Sequence, residues 1–174
     1  MSSDVPKLLI IGLDGADWNV LEPFLDAGKL PVLKQLVENG TAGRMRSTTP
    51  PVTPCAWTTA YTGVNPGRHG IYDFVDFYCG NEDIPLTNGG YRKCPTFMQI
   101  CDKSGLSVGV LNAPWTYPPD DLNGYVVSGM DTPEFGPEIA NPPEIYEEIA
   151  GLVGEYELEP VKHLWYRDNA RIED

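Results

Sequence analysis

The amino-acid sequence predicts an α/β fold with a mostly parallel sheet and helices on both faces. Short, continuous apolar runs alternate along the chain with segments of helical periodicity, which is the order of elements in such folds. The 17 Pro and 18 Gly residues among 174 favour many short loops around a sheet over a helical bundle. With 41% hydrophobic residues, the chain is expected to bury a core as one soluble globule.

The first predicted strand, Leu8 to Leu13, is a continuous apolar run that ends at Asp14-Gly15. Such a run is typical of a strand buried on both faces, and we expect it at the centre of the sheet. A helix is predicted from Asp17 to Leu25, with Asp17 as its N-cap. A second helix, from Leu30 to Glu38, is predicted to end at Asn39-Gly40.

The later elements are predicted from the same signals of apolar periodicity, Pro and Gly. They are a weaker strand from Thr41 to Thr49, a helix from Ala56 to Tyr61 that stops at Gly63, an irregular segment from Asp73 to Gly90, a helix from Thr96 to Lys103, buried strands from Leu106 to Leu111 and from Tyr125 to Ser128, and a helix from Pro142 to Leu152.

Three polar side chains lie just past the ends of predicted strands: Asp14, Asn112 and Asp131. Ligands of parallel sheets bind at the carboxyl ends of the strands. The sequence therefore places its candidate site at that edge of the sheet.

The formal net charge of −13 excludes several kinds of partner. A nucleic-acid surface needs a basic patch, and docking on anionic lipid needs clustered Lys and Arg. We therefore expect neither a nucleic-acid surface nor a membrane contact. An anionic substrate would need metal ions or helix N-termini to offset the negative field of the protein.

The four cysteines, Cys55, Cys79, Cys94 and Cys101, show no C-x-x-C spacing, and the chain has only two His residues. This combination argues against a structural zinc site and favours reduced thiols. The first apolar run is far too short to span a membrane, and no secretory signal pattern precedes it. We interpret the protein as cytoplasmic.

Asp14 and Thr53 each have two interpretations from the residues alone. A carboxylate at a strand end suits a hard divalent cation, but Asp14-Gly15 is equally a turn, and Asp14 could cap the next helix. Thr53, between Val52 and Pro54, would place a hydroxyl at a helix start, where the dipole favours a phosphate oxygen. A plain N-cap is the commoner use of such a Thr, and Thr48, Thr49, Thr58 and Thr59 are competing candidates.

The two His residues are weaker candidates. His69, in Asn65-Pro66-Gly67-Arg68-His69-Gly70-Ile71, could be a ligand, but a His that fixes a turn is the favoured interpretation. His163 and Asp168 could form a ligand pair, although no pattern of residues frames them.

Taken together, the motifs resemble the type I phosphodiesterase/nucleotide pyrophosphatase group of the alkaline phosphatase superfamily. The resemblance rests on the strand before Asp14-Gly15, on Pro50-Pro51-Val52-Thr53-Pro54, and above all on Thr62-Gly63-x-x-Pro66-x-x-His69-Gly70-Ile71. It implies a metal-dependent phosphoester hydrolase for phosphodiesters or nucleotide pyrophosphates. It also implies two divalent ions, zinc in this family, with Asp14 and Thr53 on one ion and Thr53 as the nucleophile that becomes phosphorylated.

This sequence departs from the family pattern in two places and in its length. Pro54-Cys55-Ala56-Trp57 replaces the family's Phe-Pro-Asn-His, and Tyr72-Asp73-Phe74 replaces a stretch with a phosphate-binding Asn. The remaining metal ligands of the family come from a second half. We therefore expect residues 1–174 to be the N-terminal portion of a single α/β domain, inactive alone and completed by a further segment or a second chain. The alternative is a non-catalytic binding or interaction domain that keeps the fold without a complete metal centre.

Overall fold

A computed structural model of the chain describes residues 7–76, 85–133 and 136–154. The chain divides into two compact units, Met1–Arg46 and Ser47–Asp174. The described residues contain both helices and a small three-stranded sheet, so the predicted mixed α/β class is confirmed.

The first unit contains two helices, α1 (Trp18–Asp26) and α2 (Pro31–Asn39), both close to their predicted bounds. Asp17 caps α1 as expected, because its side chain accepts a hydrogen bond from the Asn19 N–H at 2.8 Å. The segment after α2 is held by the Trp18 indole N–H, which donates to the Gly43 carbonyl at 3.3 Å.

The predicted central strand at residues 8–13 is wrong for the described part of the chain. These residues are not in a strand, and their large side chains are exposed, from 58% at Leu13 to 82% at Leu8. An apolar run forms a strand only where a neighbouring strand accepts its backbone N–H and C=O groups. None of the described segments provides that ladder for residues 8–13. Residues 41–49, predicted as a weaker strand, are not in one either.

The second unit contains the other elements. They are α3 (Thr53–Thr62), α4 (Pro66–His69), α5 (Phe97–Lys103), β1 (Val108–Ala113), β2 (Gly124–Ser128), β3 (Ala140–Asn141) and α6 (Glu144–Val153), with 3-10 turns at Gly89–Tyr91 and Pro137–Ile139. The predicted helices of this unit are confirmed, and so are the two predicted strands, with β1 two residues later than expected. The predicted burial of β1 is wrong, because only Val110 of its six residues is buried.

The sheet of the second unit has the order β1-β2-β3. β1 and β2 are parallel, whereas the two-residue β3 is antiparallel to β2. The register shifts between Leu111 and Ala113, so Asn112 is an extra residue inside β1 rather than the residue after it. The larger, mostly parallel sheet with helices on both faces stays a prediction.

The core of the second unit forms around β2. Val126 packs with Tyr61 of α3, Met98 of α5 and Val110 of β1. Its neighbour Val127 packs instead with Ile139, Ala140 and apolar side chains of α6. Successive residues of a strand point to opposite faces, so the two clusters lie on opposite sides of β2. Helix α3 is thereby anchored to the sheet through its apolar face.

The predicted irregular segment at residues 73–90 is described at its two ends only. There a single antiparallel bridge pairs Val75 with Leu86, and residues 77–84 lie outside the described part. No helix among the described residues is both long enough and apolar enough to cross a membrane.

Candidate active site

Thr53 is the first residue of α3, as predicted. Val52 is the N-cap in an extended conformation, with φ −108° and ψ 151°, and Pro54 occupies the first turn. The Val52 carbonyl accepts the Ala56 N–H at 2.9 Å, which closes the first turn of the helix. The Thr53 side chain is half-buried. It is therefore neither in a strand nor enclosed in the apolar core, and it lies where the helix dipole favours an anion.

The thiol next to this turn is not a competing nucleophile. Cys55 is fully buried, and burial raises the pKa of its thiol above the ordinary value. A hydrogen bond with the Thr48 side chain acts in the opposite direction, and the negative charge of Asp73 adds to the increase. Because the thiolate is the reactive form, a raised pKa leaves Cys55 unreactive at neutral pH.

The segment from Thr62 to Ile71 ends α3 and begins a second helical turn. Gly63 adopts φ 66° and donates its N–H to the Thr59 carbonyl at 2.8 Å, a C-cap that favours glycine. Gly70 is the C-cap of α4 in the same way: it adopts φ 83° and donates its N–H to the Pro66 carbonyl at 2.9 Å. The two glycines of the motif are thus required by the backbone.

His69 fixes this turn, which confirms the favoured interpretation. Its side chain is fully buried. The Ile71 N–H donates to Nδ1 at 3.2 Å, and Nε2 lies 2.9 Å from the Thr59 hydroxyl. Burial lowers the pKa of His69, so the ring is neutral at pH 7. Both ring nitrogens are engaged within the protein, which argues against a metal-ligand role.

Asp14 is exposed and lies in a turn. The Ala16 N–H donates to the Leu13 carbonyl at 3.4 Å across that turn, and Gly15 adopts φ 67°. Asp17, and not Asp14, caps α1. Since residues 8–13 are not a strand in the described structure, the argument that a strand end holds this carboxylate stiffly no longer applies. That Asp14 and Thr53 bind one cation stays a prediction.

Asp131, which follows β2, has a different role from the predicted strand-end ligand. Its Oδ2 accepts the N–H groups of Tyr117 at 2.9 Å and Gly89 at 3.1 Å, and its Oδ1 accepts the Thr116 N–H at 3.3 Å. Burial raises the pKa of Asp131, against the effect of these bonds. The carboxylate joins three backbone segments. Sequence reasoning missed this role, because a lone Asp after a strand does not reveal which amides will surround it.

Two residues at and just beyond the end of β1 have a backbone conformation that the sequence does not predict. Asn112 and Trp115 have positive φ values of 53° and 57°. Asn tolerates that region, but for Trp it is an outlier that the surrounding structure must enforce. Trp115 is fully buried beside Ile71 and Phe74, and its indole N–H donates to the Thr87 hydroxyl at 3.2 Å. The His-Gly-Ile segment therefore packs directly on the end of β1.

The described residues supply few side chains that could bind a metal ion at this site. A carboxylate and a hydroxyl are oxygen donors that a divalent ion accepts, but a catalytic zinc site has three protein ligands. No group of three or more His, Cys, Asp or Glu side chains within the described ranges is arranged to hold a metal ion. His163 and Asp168, the other candidate pair, lie outside the described residues.

Comparison with known protein families identifies the family of the chain. The family model described as type I phosphodiesterase / nucleotide pyrophosphatase matches residues 8–164. The chain belongs to this family. The predicted resemblance is confirmed, and the match extends well beyond the motifs near Asp14 and Thr53. A comparison with the solved structures gives no match.

Membership of the phosphodiesterase family identifies the chemistry in general terms. The family comprises phosphoester hydrolases that act on small phosphoester substrates and generally use divalent metal ions. Thr53 stands in a suitable place for such chemistry, at a helix start with a half-buried hydroxyl. The described residues include the candidate nucleophile and the helix that it begins. They do not include a complete set of metal ligands.

Proposed function

We propose that the protein is a metal-dependent hydrolase of phosphodiesters or nucleotide pyrophosphates that works through a phospho-Thr53 intermediate. The observation that carries the proposal is the position of Thr53 as the first residue of α3 in a chain of the phosphodiesterase family. The helix dipole and the N-terminal amides of α3 would favour the negative charge that develops on the phosphoryl oxygens.

The proposed reaction has two displacements at phosphorus. The Thr53 hydroxyl loses its proton, its oxygen forms a bond to phosphorus, and the bond from phosphorus to the leaving oxygen breaks. The Thr53 ester formed in this way keeps the second substituent of the phosphodiester. Water then attacks its phosphorus, which releases the phosphate monoester and regenerates the hydroxyl. A threonine hydroxyl needs activation to act as a nucleophile. Bound divalent ions supply that activation and stabilise the charge on the leaving oxygen.

We propose that two divalent ions, zinc by family resemblance, serve this site and that Asp14 and Thr53 contact one of them. The remaining ligands would come from outside the described residues. This assigns the chain to the N-terminal portion of one α/β domain that a further segment or a second chain completes. We retain a cytoplasmic location as part of the proposal.

Trapping the intermediate tests the proposed nucleophile. A longer version of the protein that contains the downstream half is incubated with zinc and bis-p-nitrophenyl phosphate and quenched in acid, and the peptide that contains Thr53 is examined by mass spectrometry. We expect one p-nitrophenyl phosphoryl group on Thr53 in the wild type, retention of this group in Thr53→Ser, and its loss in Thr53→Ala. The same group on another residue, or an undiminished amount of it in Thr53→Ala, would overturn the assignment.

The metal role of Asp14 is tested separately by zinc titration. Asp14→Asn should weaken zinc binding, whereas Asp26→Asn should not, because Asp26 is an equally exposed carboxylate at the end of α1. The alternative function, a binding domain without a metal centre, predicts no zinc binding above that of a chelator-treated blank and no phosphothreonine.

A further inference from the structure

The contact between His69 and α3 is the buried polar feature that the proposed reaction does not use. The ring is fully enclosed and holds two different parts of the chain at once. Nδ1 accepts the Ile71 N–H, two residues along the same turn, and Nε2 faces the Thr59 hydroxyl in the last turn of α3. The same turn is attached to a third segment, because the Lys93 N–H donates to the His69 carbonyl at 3.0 Å.

These contacts determine the tautomer of the ring. A backbone N–H can only donate, so Nδ1 must be the unprotonated nitrogen. The proton of the neutral ring is therefore on Nε2, where it can donate to the Thr59 oxygen. The opposite tautomer would place two N–H groups against each other at Ile71. An imidazolium would have the same conflict, and a buried charge in addition.

We propose that His69 is a positioning residue that, as the neutral Nε2–H tautomer, holds the last turn of α3 against residues 65–71. Helix α3 is ten residues long, and Thr59 is separated from Thr53 by about 9 Å along the axis at the usual rise. A bond to its last turn therefore fixes the direction and rotation of the helix that begins with Thr53. The link to catalysis rests on the function proposed above, whereas the tautomer and the hold on α3 do not.

The groups around His69 make its contact with α3 depend on pH. The charged groups at the turn are Arg68 and Lys93, and the aliphatic part of Lys93 is so close to Gly70 that a Cβ there would lie 3.1 Å from Lys93 Cδ. The neighbouring titratable thiol, Cys94, donates to the Arg68 carbonyl. The Thr59 hydroxyl, which faces the ring from α3, does not titrate in this range. None of these groups favours the imidazolium, and burial lowers the pKa of His69.

The sign of the pH effect follows from linkage. Where α3 has come away from the turn, His69 titrates near its ordinary pKa of about 6.5. The closed form has a lower pKa, so between these values the open form binds more protons than the closed form. The contact between His69 and α3 therefore has its full stability above about pH 6.5. As the pH falls toward the lowered pKa, the equilibrium constant that favours the closed form decreases by up to about tenfold per pH unit.

Two measurements on the 174-residue chain test the proposal. The first is the ¹⁵N chemical shift of the imidazole nitrogens, which distinguishes the tautomers. The chain has two His residues, so His163→Gln assigns the signals to His69. We expect an unprotonated Nδ1, a protonated Nε2 and a pKa below about 6.5. A ring protonated at Nδ1, or one charged at pH 7, overturns the proposal.

The second measurement is hydrogen exchange of the α3 amides, expressed as protection relative to the intrinsic rate at each pH. Thr59→Val should lower the protection about tenfold, because the buried Nε2–H loses its acceptor, and Thr59→Ser should restore it. Thr58→Val is the matched control. Thr58 is the adjacent residue, its hydroxyl is buried, and that hydroxyl has no hydrogen-bond partner among the described residues. It should keep the protection of the wild type or exceed it.

The pH dependence distinguishes a positioning role from simple packing. Wild-type α3 should lose protection below about pH 6.5, and His69→Gln, which can donate to Thr59 but does not titrate, should show no such loss. Equal protection in Thr59→Val and Thr58→Val overturns the proposal. Failure of the phosphothreonine experiment would leave all these readouts unchanged, so the failure of one hypothesis is distinguishable from the failure of the other.

Discussion

At the scale of single residues, buried polar groups in this protein act through the backbone segments they join. Asp131 accepts three N–H groups from two separate stretches, at Gly89 and at Thr116 to Tyr117. A carboxylate suits that position because it offers only acceptors. Gly89 is equally constrained, since a Cβ there would lie 2.7 Å from the Trp115 carbonyl oxygen. Asp131, three residues past the end of β2, therefore joins these two stretches to its own segment.

Replacing Asp131 by Asn should destabilise the protein by about 2–3 kcal/mol. The amide group has one oxygen and one NH₂, so at least one of the three backbone donors would face another donor. The measurement is urea unfolding followed by circular dichroism. Asp121→Asn removes the same charge from an exposed position of the same unit and should change the free energy of unfolding by no more than about 0.5 kcal/mol. Equal effects of the two variants would disprove this joining role of Asp131.

At the scale of elements, helix boundaries in the second unit follow from local chemistry. Helix α5 begins at a capping box in which the Thr96 hydroxyl accepts the backbone N–H of Gln99 at 3.2 Å and the side-chain Oε1 of Gln99 accepts the backbone N–H of Thr96 at 3.0 Å. The Gln99 NH₂ also donates to Asp120 at 2.8 Å. The cap thus fixes the helix start and ties it to the loop before β2.

Loss of this cap should cost about 1 kcal/mol in Thr96→Ala, because a buried helix end loses one acceptor for its free amides. Thr96→Ser keeps the hydroxyl and should recover most of the lost stability. The free energy of unfolding of the three proteins in urea checks this, provided that the slope with denaturant is unchanged. If Thr96→Ser were as unstable as Thr96→Ala, the lost methyl packing, and not the cap, would account for the effect.

At the scale of the whole molecule, the two residues predicted to bind one cation belong to different compact units: Asp14 to Met1–Arg46 and Thr53 to Ser47–Asp174. Residues 1–46 have six acidic and five basic side chains, so nearly all of the net charge of −13 lies in the unit that contains Thr53, where it makes an unassisted phosphate site unfavourable. Divalent ions would offset that field, which agrees with the general use of such ions in the family.

The 174-residue chain alone should hydrolyse bis-p-nitrophenyl phosphate at a rate near background. Two protein ligands are fewer than the three of a catalytic zinc site, so zinc affinity should be weak. The measurement is initial rate against zinc concentration, with chelator as the blank and with a longer version of the protein that contains the downstream half. The longer version should be active and should lose that activity in Thr53→Ala.

Strong, chelator-sensitive turnover by the 174-residue chain, abolished in Asp14→Ala, would contradict this expectation. It would show that further ligands lie within the chain. Asp73 and His163 would then be the first residues to examine, since the carboxylate of Asp131 is already engaged by backbone amides.

Much of the second unit could be predicted from the sequence because its signals are local. Pro54 and Gly63 mark the limits of α3, Thr96 and Gln99 mark the start of α5, and apolar runs mark β1 and β2. The same kind of signal failed at residues 8–13, where an apolar run was taken for a central strand. Apolar character indicates that a segment favours burial, but not which strand will pair with it.

The sequence by itself determined the family, the helix that begins at Thr53 and the caps of that helix, since all three depend on residue types at fixed spacings along the chain. Only the tertiary structure decided the roles of His69 and Asp131 and the left-handed backbone of Trp115. Those roles depend on which donors and acceptors from distant segments meet around a buried side chain. Contacts of that kind are set by packing in three dimensions and leave no periodic signal in the sequence.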